Sequence, residues 1–199
     1  MTKGKRAVIA CLAAAGVIAC LAAFIPRYQQ INQKYPPPPV ETYAIGEPLS
    51  YKGVEVTVQE SLIAAWPDMP ALFPDTTFTY NPVANGEAGA KEQMKLVLVT
   101  VNLKNIGEES QSVTLYTMVA KTLTWRNGLN LELFMDLNTT ADHTPTIRPA
   151  LAPGEEMTVI LPYTAIKQQF PPGEWAAFKD LPFELQFDLY PVKKIFKLT

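Results

Sequence analysis

A chain of 199 residues with 17 basic and 19 acidic side chains has room for one domain and a short appendage, and its slight acidity argues against nucleic acid as a partner. Its two cysteines, Cys11 and Cys20, both lie in an N-terminal apolar run. The remainder therefore has no disulfide framework, no thiol nucleophile and no cysteine for a metal site. With His143 as the single histidine, a multi-histidine metal centre is excluded too, and the sequence implies no cofactor.

Residues 1–6, MTKGKR, are a basic segment. They precede 19 residues without charge or proline, AVIACLAAAGVIACLAAFI over 7–25. A helix of that length reaches about 28 Å, close to the hydrocarbon thickness of a bilayer. Lys3, Lys5 and Arg6 before it, against Arg27 and Lys34 after it, predict a cytoplasmic N-terminus and an extracytoplasmic domain. Three fates fit the run. It reads as an uncleaved signal-anchor helix that makes the membrane a partner through residues 7–25. It reads also as a lipoprotein signal, with Val17-Ile18-Ala19-Cys20 as a lipobox and Cys20 as the lipidated residue, or as a cleaved signal. Leu21–Ile25 stays apolar beyond both cleavage points, which favours the anchor. Fourteen basic residues follow the run against all 19 acidic ones, a net charge of −5 that argues against anionic lipid and wall polymer.

Residues 26–42 read as an extracytoplasmic stalk, with Pro36–Pro39 as a stiff polyproline spacer. From Tyr43 to Thr199 the pattern has period two. Val54, Val56 and Val58 share a face, as do Val97, Val99, Val101 and Leu103, then Met157, Val159 and Leu161, then Phe183, Leu185, Phe187 and Leu189. Val113, Leu115, Thr117 and Val119 predict another strand, and KKIFKL over 193–198 a basic one suited to a sheet edge. Leu129–Leu137 fits a short helix with Leu131, Phe134 and Met135 on one side, or an irregular strand. Thr164–Phe170 fits one helical turn. Turn residues at Gly46, Lys52-Gly53, Asn105-Ile106-Gly107, Asn127-Gly128, Pro153-Gly154 and Pro172-Gly173 divide these segments. Many short strands at turn-marked spacing predict an all-β, antiparallel β-sandwich behind one N-terminal transmembrane helix.

The unusual stretch is 66–92, longer than a strand connection needs. Its aromatic residues Trp66, Phe73, Phe78 and Tyr80 are rigid apolar anchors. They either fold back as a cover over the sandwich or form the surface that binds a partner, and these four are the candidate binding residues. Trp125 reads as core, and Trp175 as a cover for one end of the sandwich. Catalytic signatures are weak. His143 sits beside Asp142 in a Thr/Pro-rich loop, and none of Ser50, Ser61, Ser110 and Ser112 stands in a nucleophile elbow. Glu108-Glu109 and Glu155-Glu156 are adjacent pairs in turns, where neighbours point apart and face solvent. Leu161-Pro-Tyr-Thr-Ala165 has the form of a sorting signal without the apolar span and basic tail one needs; it reads as a strand ending at Pro162. Asn138-Thr-Thr140 matches a glycosylation acceptor by chance.

KLVLVTVNLKN over 95–105, then Gly107-Glu108, then Leu151-Ala-Pro-Gly-Glu155 before Met157-Thr-Val-Ile-Leu161, resembles the immunoglobulin-like (telokin-like) domains of unknown function found outside Gram-positive and actinobacterial cells. Those domains sit behind a transmembrane helix or a lipobox. Over 43–199 the resemblance implies an immunoglobulin-like sandwich and an extracytoplasmic address, and carries no catalytic residue. The expected function is a non-catalytic module that presents a loop surface to a protein or cell-envelope partner. The alternative is an accessory subunit of an envelope transport or secretion complex, with the helix as a contact at Ala15, Gly16 and Ala19. A carboxylate hydrolase is the lesser one.

Overall fold

Alternating apolar and polar residues build two sheets, and a slip in that alternation builds a second core outside them. The computed structural model describes the backbone of residues 3–198 and the side chains of 15–198 apart from Ala19. These residues form two units, Met1–Pro39 and Val40–Thr199.

The first unit is a helix, α1 (Lys3–Lys34), with Pro36–Pro39 outside regular structure. The helix runs through Pro26 into the polar half of the expected stalk. Gln, Lys and Arg are good helix formers, and neighbours on adjacent turns pair there. Phe24 stacks on Tyr28 at 5.9 Å, and Arg27 Nη1 donates to Gln30 Oε1 at 3.3 Å. Side chains 7–14 and 19 of the apolar run, Cys11 and Ala19 included, lie outside the described residues. Among the described residues no helix is long and apolar enough to cross a membrane. Cys20 is exposed on α1.

The second unit is the sandwich. It opens with β1 (Val40–Tyr43), β2 (Pro48–Tyr51) and β3 (Val54–Ala65), then a one-turn helix α2 (Met69–Leu72) within the 66–92 segment. There follow β4 (Met94–Asn105), β5 (Gln111–Ser112), β6 (Val119–Lys121), β7 (Arg126–Gly128), α3 (Leu131–Asn138), β8 (Ala150–Leu151) and β9 (Glu156–Ile166). A short helix α4 (Pro172–Ala176), β10 (Glu184–Asp188) and β11 (Lys193–Lys197) complete it. One sheet has the order β2-β3-β4-β9, the other β1-β11-β10-β6-β7, and β5 pairs with β8 alone. All pairings are antiparallel except β1 with β11, which run parallel with Val40 opposite Lys193. The all-β reading therefore holds.

Between the sheets pack Val54, Val56, Val58, Val97, Val99, Val101, Leu103, Val159, Leu161 and Tyr163 from one side, and Ala120, Leu185, Phe187 and Phe196 from the other. The register of β3 against β4 jumps between Val58 and Glu60, which makes Gln59 a bulge. A bulge residue reverses the faces beyond it. After it Ile63 points into the sandwich, while Leu62 and Ala64 point out beside Leu98 and Leu96. The outward set needs a cover, and that need accounts for the 66–92 segment.

Four expectations are corrected. The stretch from Val113 to Val119 is not a strand: Leu115–Thr117 is a 3-10 turn, and the buried spacing there goes from two to three, Leu115 to Met118, where the chain passes from the β5–β8 pair to β6 in the five-stranded sheet. β11 is not an edge, because β1 pairs along its open side. On α3 the buried residues are Leu133 and Phe134, while Leu131 and Met135 are exposed. Strand β9 continues through Pro162 to Ile166; as an edge strand it tolerates a residue without an N–H, and Pro162 O accepts Asn130 N–H at 3.0 Å.

Candidate functional site

Residues 66–92 start where β3 ends and lie over the outward face of the four-stranded sheet. Trp66 opens a 3-10 turn with Pro67 in its first positions, and Met69–Leu72 adds a helical turn. Trp66, Met69 and Tyr80 pack with Ala64, Met94, Leu96, Leu98 and Leu133 in a core of their own. Tyr80 and Phe78 meet the Trp66 ring edge-on at 5.1 and 5.7 Å, a geometry aromatic rings favour.

Helix α3 holds the segment in place. Asn130 caps it, its Oδ1 accepting Leu133 N–H at 3.0 Å. The Asp136 carboxylate accepts Thr79 N–H at 3.0 Å, the Thr79 hydroxyl at 2.6 Å and Tyr80 N–H at 2.9 Å. Asn85 Nδ2 donates to Glu132 Oε2 at 3.0 Å, and the Tyr80 hydroxyl donates to Glu87. Burial, then that bond to Glu87, raise the Tyr80 phenol above its ordinary range, so it stays a donor. Asn138, the residue of the glycosylation pattern, is bonded through its side chain to Phe134 O, Ile160 O and Ile160 N–H, at 2.7–2.8 Å.

The four predicted contact residues thus come together, mostly as a cover. Trp66 is 6% exposed and Tyr80 2%, so neither offers a contact surface as placed, while Phe73 and Phe78 are half-buried. What remains open is a cleft of about 400 Å³ between Trp66, Pro67, Pro70, Phe78 and Thr79, with Lys91 among its lining residues. Leu72, which the sequence reading missed, is exposed at 44% at the end of α2; its only signal was its place between Pro70 and Pro74.

The other singled-out residues lie elsewhere. Trp125 is core, its indole N–H bonded to Gln169 Oε1 at 3.0 Å. Trp175 is half-buried against Phe170 and Phe178, with Lys95 Nζ 4.5 Å over its ring and donating to its carbonyl at 2.7 Å. Burial, and then the charge of Lys179, lower the Lys95 pKa. His143 is exposed, as are Glu108, Glu109, Glu155 and Glu156. Among the described residues no group of three or more His, Cys, Asp or Glu could hold a metal ion.

The quoted sequence motif also meets in space. Asn105, 1% exposed, donates through Nδ2 to Glu109 O and Leu151 O at 2.8 Å and accepts Gly107 N–H at 2.9 Å. Its backbone is bonded to Gly154 and Glu155. A family model described as "Domain of unknown function (DUF5028)" matches residues 40–194. The chain belongs to this family. The DUF5028 domain is similar in fold to a conserved hypothetical protein from Bacillus anthracis, 13% identical over 79% of this chain and 95% of that one, with a TM-score of 0.50. An uncharacterised β-sandwich protein from Clostridium difficile 630 aligns at 13% identity over 81% and 96% of the two chains, with a TM-score of 0.47. The YjhA protein from Bacillus subtilis does so at 12% over 79% and 99%, with a TM-score of 0.43. No curated protein matches the chain.

Proposed function

We propose that the protein is a membrane-tethered, extracytoplasmic, non-catalytic module of immunoglobulin-like type that binds a protein or cell-envelope partner. The observation that carries the binding reading is the pinned cover. Residues 66–92 are fastened to α3 by Asp136 and Glu132, yet leave a cleft of about 400 Å³ lined by Phe78, Pro70 and Lys91 among others. A surface ordered before binding loses little entropy on docking. The immunoglobulin-like reading draws support from the strand order, in which β11, β10, β6 and β7 lie side by side with β1 parallel to β11. The tether reading draws support from a helical backbone throughout residues 7–25, basic residues ahead of it and four prolines before Val40.

The binding test uses the full chain in neutral detergent as bait. Phe78→Ala and Lys91→Ala should each lose the captured partner while the thermal midpoint stays within a few degrees of the parent. Equal capture by both variants would refute the cleft, and would favour the helix-contact alternative if removal of residues 7–25 then abolished capture. Address is tested by membrane fractionation and by the mass of the mature N-terminal peptide. A peptide retaining Met1 supports the signal-anchor; one beginning at a diacylated Cys20 would replace it with a lipid anchor.

A further inference from the structure

The end of the sandwich where the chain enters holds a second concavity of about 350 Å³. It lies between the β2–β3 turn, the crossing segment after β5, Arg148 and the end of β10, far along the chain from 66–92. Tyr51 and Phe187, edge-on at 4.9 Å, supply its apolar wall.

Three features of its polar lining point to a ligand. First, Lys52 and Arg148 both line it, and among the described residues neither takes part in an ion pair: the two that exist join Lys121 to Glu184 and Lys194 to Glu41. The carboxylate lining the same pocket, Asp188, is partly engaged, accepting Leu189 N–H at 2.7 Å and Tyr190 N–H at 3.4 Å. Second, Lys52 occupies a left-handed conformation, φ 48°, ahead of Gly53 at φ 79°. Two-residue hairpin turns of this shape favour Asn, Asp or Gly at that position, because a Cβ is crowded there. Lys52 stands there at a cost in strain, with its Nζ 5.0 Å over the Tyr51 ring, and that places its charge at the pocket. Third, Gln186, 7% exposed, lines the pocket beside Phe187 and Asp188, so the part of it left open belongs to the same concavity as Lys52 and Arg148. Its side-chain amide can donate to a ligand oxygen held there.

We propose that this pocket binds a small organic phosphate. A tetrahedral anion accepts hydrogen bonds from several directions, which suits an ammonium, a guanidinium, the Gln186 amide and the Ser112 and Thr114 hydroxyls. The volume exceeds that of inorganic phosphate, leaving room for a carbon skeleton against Tyr51 and Phe187. The remaining acceptor capacity of Asp188 fits a hydroxyl on that skeleton. The acidic average of the domain sets no limit on a local pair of cations. This site is separate from the partner-binding cleft and does not depend on the membrane reading.

The test is calorimetric titration of the full chain in neutral detergent with glycerol 3-phosphate, inorganic phosphate, glycerol and short-chain phosphatidylglycerol. Saturable binding of glycerol 3-phosphate, with inorganic phosphate weaker and glycerol silent, is expected for a free organic phosphate. Binding of phosphatidylglycerol alone assigns the phosphate to a lipid headgroup. In either case Arg148→Gln and Lys52→Gly should weaken binding by about tenfold each, the loss of one charge-assisted contact. Lys52→Gly should at the same time raise the thermal midpoint, because glycine accepts the left-handed turn, so its lost binding is not unfolding. Leu123→Ser, at the fully exposed tip of the β6–β7 turn, should bind as the parent does. Absence of saturable binding by both phosphates and the lipid, or binding indifferent to Lys52→Gly and Arg148→Gln, overturns the proposal.

Discussion

Among single residues, Tyr163 is the one placed against the usual rules. It is fully buried between the sheets, and its hydroxyl has no hydrogen-bond partner among the described residues. Burial alone raises its pKa far above the ordinary phenol range, so it remains a neutral, unpaired donor. An orphaned buried hydroxyl costs about 1–3 kcal/mol. Tyr163→Phe should therefore stabilise the sandwich by about 1 kcal/mol, seen as a higher denaturant midpoint at unchanged slope; a lower midpoint would disprove this. Asn105 is the converse, a buried amide with all its bonds made. Asn105→Ala leaves the Glu109 and Leu151 carbonyls and the Gly107 N–H without that partner, and should cost about 2 kcal/mol or more. Chemical denaturation measures it, and a loss below about 0.5 kcal/mol would contradict the assignment. Asn105 and the Leu151–Glu155 turn stood out in the sequence as a pair of turn motifs. Their mutual bonding was not readable, because it spans 46 residues of intervening chain.

At the scale of elements, period two carried most of the fold. β3, β4, β9 and β10 each fall where alternating residues place them, since one buried face and one wet face leave a direct mark. Failures came where a neighbour in space, not in sequence, decides. β11 is interior because β1 returns to it, and the 113–119 stretch turns because it must change sheets. The aromatic residues of 66–92 marked the right segment, since large rings concentrate where surface is removed from water. Spacing alone did not say which would lie under the surface. The slip at Gln59 was not legible, because Leu62 and Ile63 are both apolar; the register alone shows inward residues even-numbered through Val58 and odd-numbered at Ile63. Because Val58 and Glu60 already face the consecutive residues Val101 and Thr100, deleting Gln59 should remove the bulge and leave Ile63 inward and Leu62 and Ala64 outward, so the 66–92 cover keeps its seat. Protease cleavage within 66–92 should then stay as slow as in the parent. A sharp rise in cleavage there would mean that the deletion slips the register of β3.

For the whole molecule, the two candidate sites occupy different places on one scaffold. Val40 stands opposite Lys193, so the chain enters the sandwich beside the β10–β11 turn, at the end that also holds Lys52 and Asp188. Trp66 leaves β3 at the opposite end. Lys52-Gly53 was legible only as a turn, while Arg148 and Gln186 come from segments with no motif. Such a pocket exists only once the fold assembles it. The first strand is secured where it enters: Lys194 bonds the Glu41 carboxylate, and the Tyr43 hydroxyl donates to Glu41 at 2.8 Å. The Lys194 bond first, and the Tyr43 bond next, lower the Glu41 pKa below its ordinary 4.5, and the Glu41 bond raises Lys194 above 10.5. A lowered carboxylate contributes above 4.5 and ceases to as pH falls through its folded value; a raised ammonium contributes below 10.5 and ceases to as pH rises through its own. Hydrogen-exchange protection of β1 and β11 amides should hold across neutral pH and fall first in these strands on acidification. Uniform loss over the whole sandwich would refute the local assignment.

The parallel pairing of β1 with β11 has a mechanical side. A pull on Val40 directed along the strand axis acts at the end where β11 also begins. Force in that direction loads the β1–β11 hydrogen bonds together, in shear, and adds the Glu41–Lys194 contact to them. An antiparallel first strand entering at the other end would give way one bond at a time. The sandwich is thus built to stay closed under tension applied along its first strand.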